Sequence, residues 1–416
     1  MSNKYSTFER EVAKFVSSFP KLKALIKKVY LWLNYVLYKK DYKSKTPYRI
    51  QKISYDNEES FFGYYDNSPI NVDNSYIVFH SVNFSTKSLP NSKKAISIVL
   101  YNVRNKEYKV IDKTYSYNWQ QGAKLMWLDN NRFIFNIFDN KSSTYKSKIY
   151  DILNKSSRIV DMPIYDACST FGISLNFERL RVDGGDYAYS NRKNTIDWHD
   201  NSDALLYVDL VSGKRTKIIS LEDVINFNFK NSMNNAKHTF NHVMISPLNN
   251  KIMFMHRWYS QGNKRFETLY VCDVDGENLR IIADDGMVSH CCWKSNNEII
   301  AFLRDEKRGD QYYTINVIDS TKVILNEKLK VFGDGHPSFL NDKVLFDTYP
   351  NKSRMKGLFI LDLKKDKLLT MGDFYESLSY YKQTRCDLHP RFSLDGSKVF
   401  FDSVHEGKRG LYIMDI

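Results

Sequence analysis

Cys386-Asp387-Leu388-His389-Pro390-Arg391-Phe392-Ser393-Leu394-Asp395-Gly396, continued after Ser397 by Lys398-Val399-Phe400-Phe401, is the stretch on which the fold turns. An Asp-Gly pair between aromatic-rich apolar runs predicts two short antiparallel strands around a tight turn. A histidine stands four residues ahead of the turn serine. The same arrangement of polar residue, short strand, turn and apolar strand returns along the chain. Its other instances begin Tyr64-Tyr65-Asp66-Asn67-Ser68-Pro69, Lys124-Leu125-Met126-Trp127, Thr170-Phe171-Gly172-Ile173-Ser174, His242-Val243-Met244-Ile245-Ser246, His290-Cys291-Cys292-Trp293 and His336-Pro337-Ser338-Phe339. Apolar second strands are expected at 76–79, 132–135, 251–255, 298–302, 343–346 and 398–401. Third strands closing on Asp are expected at 206–209, 269–273, 358–362 and 411–415, with 98–101 in that place in the first repeat.

The seven anchors stand 60, 46, 72, 48, 46 and 53 residues apart. Repeats of about 40–50 residues with four strands each are the pattern of a β-propeller. The longest interval contains 221–237, read as an inserted helix and loop. The last repeat holds only three strands before Ile416, and a spare strand at 48–54 supplies the fourth, closing the ring without open edges. The expected architecture is all-β: a seven-bladed β-propeller over 47–416, preceded by a basic amphipathic helical segment over 1–46.

Composition agrees with an ordered β-rich chain. Of 416 residues, 42% are hydrophobic, and 29 Tyr and 26 Phe suit pleated, half-buried surfaces. The formal net charge is +13, but residues 1–50 carry twelve Lys/Arg against three acids, +9, leaving 13 − 9 = +4 for the rest. The charge belongs to the N-terminal segment, so the main domain is not read as a nucleic-acid binder. Five cysteines without a CxxC pair argue against a disulfide framework and for a reducing, cytoplasmic setting. The Gly184-Gly185 stretch is read as a loop, and no nucleotide motif is present.

In the basic segment, Ser6-Thr7-Phe8-Glu9 has capping-box spacing, with Val12, Phe15 and Val16 following at helical intervals, and Pro20 ends or restarts the helix. Beyond it an apolar core over 29–38 is flanked by Lys21, Lys23, Lys27 and Lys28 before and Lys39 and Lys40 after. That core is too short to span a bilayer. Lysine flanks with Trp32 and several tyrosines fit a helix lying in an anionic membrane surface, at the inner face, through residues 1–45. A helix packed on its own domain or on a partner is the other reading.

Equivalent positions of propeller blades converge on the central axis. The anchor position carries Tyr64, Lys124, Thr170, His242, His290, His336 and His389, so four of the nine histidines of the chain fall on one register. Imidazoles around an axis suit a divalent transition ion, with Asp387, Asp334 or Gln383 filling the shell. Neutral imidazole also suits general-base work near neutral pH. Arg257, Arg385 and Arg391 are candidate neighbours. His199 and His405 stand outside the register and are expected on the surface. Asp347 and Asp402, at equivalent strand ends, are expected to fix turns.

At these residues the chain resembles oligogalacturonate lyases, seven-bladed propellers that cleave oligouronides with a histidine-bound metal. The resemblance rests on Ser289-His290-Cys291-Cys292-Trp293 and on Gln383-Thr384-Arg385-Cys386-Asp387-Leu388-His389-Pro390-Arg391-Phe392. It implies His290 and His389 as ligands of manganese or another transition metal and His242 as the base. Asp387 stands where the family carries a histidine, Gln383 is displaced by one position, and His336 has no counterpart there. On this reading His290, His336, His389 and Asp387 hold the metal. His242 removes a sugar α-proton, Arg257 or Arg391 steadies the sugar carboxylate, and Tyr64, Lys124, Gln383 and Arg385 contact substrate. The expected activity is a lyase or epimerase on a uronic-acid-containing, acidic carbohydrate, in cell-surface polysaccharide metabolism. A glycosyltransferase on the same pocket and a non-catalytic, membrane-docked scaffold are the alternatives.

Overall fold

The computed structural model describes residues 20–192 and 196–416. The expected helix over 6–16 lies outside the described residues. A helix, α1 (Pro20–Tyr38), leads into seven antiparallel sheets arranged as a seven-bladed β-propeller. Each sheet has four strands, except the sixth blade, which gains a fifth from Ser44–Lys45 on the outer edge of Lys367–Tyr375.

Second strands read as continuous apolar runs because both faces of a blade pack on its neighbours. Ile252, Met253, Phe254 and Met255 in the fourth blade, and Val399, Phe400 and Phe401 in the seventh, are all fully buried. Burying one such side chain contributes about 1.5–3 kcal/mol relative to leaving it exposed. Ile50–Ile53 pairs with Gly410–Asp415, so the N-terminal strand is the outermost strand of the last blade and joins the two ends of the ring. The inserted segment between the third and fourth blades contains α2 (Leu221–Phe227), capped by Ser220 and Asp223 in a reciprocal capping box, and a 3₁₀ turn at Asn231–Met233.

Two expectations fail. Thr170-Phe171-Gly172-Ile173-Ser174 is not an inner strand: Phe171–Ser174 is the second strand of the third blade, paired with Ala204–Asp209, and Asp166–Ala167 is the innermost. The cause is a long connection, 175–203, where other blades have a hairpin, so the repeat count slips by one strand. His405 is not a surface residue either. It is buried against Phe374 and Tyr412, with Nδ1 at 2.9 Å from Ser403 Oγ.

Candidate functional site

The axial histidines owe their direction to breaks in the inner strands. His242 and His389 adopt left-handed backbone, φ 49° and 43°, and Lys124 at the matching point of the second blade has φ 51°. Around His242 the pairing skips from Asn241 to Met244, and around His290 from Val288 to Cys291. Such bulges turn a side chain out of the pleat, and a left-handed non-glycine residue costs on the order of 1–3 kcal/mol, a strain that concentrates at functional sites. Tyr64 follows Gly63, whose φ of 122° and approach to the Gln121 backbone leave no room for a Cβ: one would lie 2.8 Å from the Gln121 carbonyl carbon. Gly63→Ala is therefore expected to lower stability by about 1–3 kcal/mol in urea unfolding.

The result is a compact buried cluster. Ring centroids of His290 and His336 are 4.2 Å apart, those of His336 and His389 4.4 Å, and those of His242 and His290 6.0 Å. Tyr64 and Tyr65 form an aromatic wall, with Tyr64 5.0 Å from His389 and Tyr65 5.4 Å from His336. One ligand atom from each of His336, Asp387 and His389 lies within 4.8 Å of the others. His290, expected among the ligands, falls outside that trio: its Nδ1 lies 3.1 Å from both Ser289 Oγ and Asp334 Oδ1.

Carboxylates orient the rings. Asp347 lies 2.9 Å from His336 Nδ1 and accepts from the backbone N–H groups of His336 and His389. Asp402, its equivalent in the next blade, accepts from the backbone of Phe62 and Gly63. Both aspartates, expected to fix turns, thus clamp the start of a neighbouring inner strand. Burial disfavours charge on His336, but Asp347, Asp387 and Asp334 outweigh it and raise its pKa. Burial, then Arg257 and His290, holds His242 well below its usual range, and burial with His336 does the same for His389. His242 Nδ1 lies 3.1 Å from the Tyr64 hydroxyl. The Nε2 atoms of His242 and His389 are buried without a hydrogen-bond partner.

Asp387 is held from beneath. Arg385 Nε donates to it at 2.6 Å, and Lys356 Nζ, 3.5 Å away, also donates to Glu376 Oε1 at 2.7 Å. Burial opposes the charge, yet Arg385, Lys356 and His336 keep the carboxyl well below its usual range. Neither Lys356 nor Glu376 carries a repeat signal.

The remaining candidates are placed as follows. Arg257 donates to Glu267 at 2.9 Å and to Asp183 at 3.2 Å, while its second terminal nitrogen meets only Met255 Sδ at 3.6 Å. Arg391 lies under the cluster, donating to the carbonyls of Gly63 and His389 and facing Asp402 at 3.3 Å. That is a supporting place, away from the carboxylate-binding role expected of it. Lys124 pairs with Asp66 at 2.7 Å beneath the Tyr165 ring. Gln383 donates to the Gly184 carbonyl, and Arg385 reaches Asp186 at 2.7 Å. These contacts, with Tyr187 edge-on to His242 at 5.2 Å, draw residues 184–187 of the long connection in the third blade over the cluster as a roof. The Gly184-Gly185 stretch is legible in the sequence as a loop, but a loop has no period that would place it over the axis.

No family model and no curated protein matches the chain by sequence. Solved structures do match. An oligogalacturonate lyase in complex with manganese superposes with a TM-score of 0.60 at 12% identity, covering 91% of this chain and 95% of that one. An oligogalacturonate lyase from Vibrio parahaemolyticus gives 0.58 at 13%, covering 91% and 99%. The tricorn protease gives 0.49 at 12%, over 87% of this chain and 34% of the other. At these identities the first two likenesses define the scaffold, the seven-bladed propeller over nearly its whole length.

Proposed function

We propose that the protein is a metal-assisted lyase, or an epimerase sharing the same first step, acting on a uronic-acid-containing glycan. The observation that carries this reading is the buried trio of His336, Asp387 and His389 beside a His242 Nε2 that has no hydrogen-bond partner among the described residues. Two imidazoles and a carboxylate fit a manganese-type or other divalent transition ion, and the buried orphan Nε2 of His389 is a donor with no protein partner. A divalent ion bound there would supply the positive charge that acidifies the proton α to the sugar carboxylate.

The chain's own residues do the rest. Asp347 holds the proton on His336 Nδ1, which turns Nε2 toward the trio. His242 Nδ1 meets the Tyr64 hydroxyl, and with the ring proton on Nδ1 the Nε2 lone pair is left as the base. His242 Nε2 takes the C5 proton, the freed pair forms the C4–C5 double bond, and the C4–O bond breaks. The departing oxygen keeps its bonding pair and takes a proton from water, while His242 returns its own to solvent. In the epimerase variant the proton re-enters at the other face of C5 and no C–O bond breaks. The free edge of Arg257 steadies the sugar carboxylate, and Tyr64 and Tyr65 give the sugar ring an apolar wall. Arg391 serves as a positioning residue beneath His389.

The test is to incubate manganese-loaded protein with a panel of acidic oligosaccharides and follow the ultraviolet absorbance of unsaturated uronide. A rise supports the lyase. Solvent-deuterium incorporation at C5 without a rise supports the epimerase. Neither signal, with no manganese bound and no effect of chelator, refutes both and favours a non-catalytic scaffold. On the same reading, Asp347→Asn is expected to weaken manganese binding by about 10–100-fold, as loss of an outer partner does, and His389→Ala by more. Calorimetric titration of manganese checks both.

A further inference from the structure

Helix α1 is turned inside out. An amphipathic helix on a globular domain ordinarily faces its apolar stripe inward. Here Leu25, Val29, Trp32, Leu33 and Val36 fall on one face at helical spacing, and that face points to solvent, with Trp32 55% and the adjoining Leu37 74% exposed. The side toward the propeller carries Tyr30, Leu31, Asn34 and Tyr35. Asn34 is 8% exposed, its amide donating to the Tyr30 carbonyl at 2.8 Å, and Tyr35 lies 5.6 Å from Tyr375. The helix meets the propeller through Tyr35 on Tyr375 and Lys27 over Tyr381, with the Leu25–Val29–Trp32–Leu33–Val36 stripe presented outward.

Charge selects what covers it. Lys28, Lys39 and Lys40 flank the stripe, and Lys27, Lys43 and Lys352 sit over Tyr381, Tyr375 and Tyr38 along its base. An apolar strip with a tryptophan, rimmed by lysines, matches the acyl–headgroup boundary of a bilayer carrying negative charge. Among the described residues no helix is long and apolar enough to cross a membrane, so the fit is to the surface.

We propose that α1 docks this protein flat onto an anionic lipid surface, with Leu25, Val29, Trp32, Leu33, Val36 and Leu37 in the acyl boundary. Tyr375 ends the strand Lys367–Tyr375, and Lys352 and Tyr381 lie in the connections that follow Asp347 and that carry Arg385, residues that border the histidine cluster.

The test uses the full chain in co-sedimentation with phosphatidylcholine vesicles, with and without phosphatidylglycerol. Binding should require the anionic lipid and fall at least about tenfold in high salt, because each lysine near the surface is worth about 1 kcal/mol. Leu33→Glu/Val36→Glu, on the exposed face, should abolish binding while leaving the unfolding curve unchanged. Lys28→Glu/Lys39→Glu/Lys40→Glu should weaken it at least about tenfold. Three results would overturn the proposal: no binding to anionic vesicles, equal binding to neutral ones, or a dimer that the Leu33→Glu/Val36→Glu variant dissociates. The last would assign the stripe to a second copy of this chain.

Discussion

His242→Ala is expected to bind manganese as tightly as the unaltered protein and to process acidic oligosaccharide about 10²–10⁴-fold more slowly, the usual contribution of a positioned general base. The separation follows from the geometry. His242 stands outside the His336–Asp387–His389 trio, and among the described residues its ring has one hydrogen-bond partner, the Tyr64 hydroxyl at 3.1 Å. Its Nε2 is buried without a hydrogen-bond partner among the described residues, and burial, then Arg257 and His290, holds its pKa well below the usual range, which favours the neutral ring. His242→Gln keeps a group of similar reach beside Tyr64 but offers no base, so it should fail equally while unfolding like the parent. Full turnover in either variant would remove His242 from the chemistry. Loss of manganese along with turnover would instead make it a ligand.

Glu376→Ala is expected to cost about 3–5 kcal/mol of stability, the largest effect on folding foreseen for a single polar substitution here. Glu376 is 2% exposed and holds three partners: Lys356 Nζ at 2.7 Å and the Cys386 N–H at 2.9 Å on one oxygen, and Arg354 at 2.5 Å on the other. Removing it leaves two buried cations without that counter-charge, and buried charge has no water to fall back on. Urea unfolding measures the loss. Glu298→Ala, which breaks a partly exposed pair with Lys294, should change stability by less than about 1 kcal/mol. Because Lys356 also touches Asp387, Glu376→Ala should weaken manganese binding as well. A change near that of Glu298→Ala would mean the network is replaced by water at little cost.

The blades were legible because each is a local event. Lys398-Val399-Phe400-Phe401 after Asp395-Gly396 announces a buried strand after a turn, and the 40–50-residue recurrence makes seven such events into a ring. The histidine register was legible for the same reason, since a repeat converts spacing into position around an axis. The third blade escaped because its second and third strands are separated by 175–203, which breaks the period. Asp347 and Asp402 were seen as turn residues, yet each reaches across to a neighbouring blade, and nothing within a single repeat records a contact between blades.

The sequence by itself determined the propeller, the blade count, the strand that closes it and the convergence of His242, His290, His336 and His389. These follow from short-range patterning and periodicity. Only the tertiary structure decided that His336, Asp387 and His389 form the compact trio while His290 turns to Asp334. It alone also showed that Arg385 and Lys356, the latter paired with Glu376, hold Asp387 and that α1 faces its apolar stripe outward. A register specifies which residues approach the axis. Which donor atoms meet there depends on bulges, left-handed residues and buried charges contributed by blades distant in the chain, and those carry no period to read.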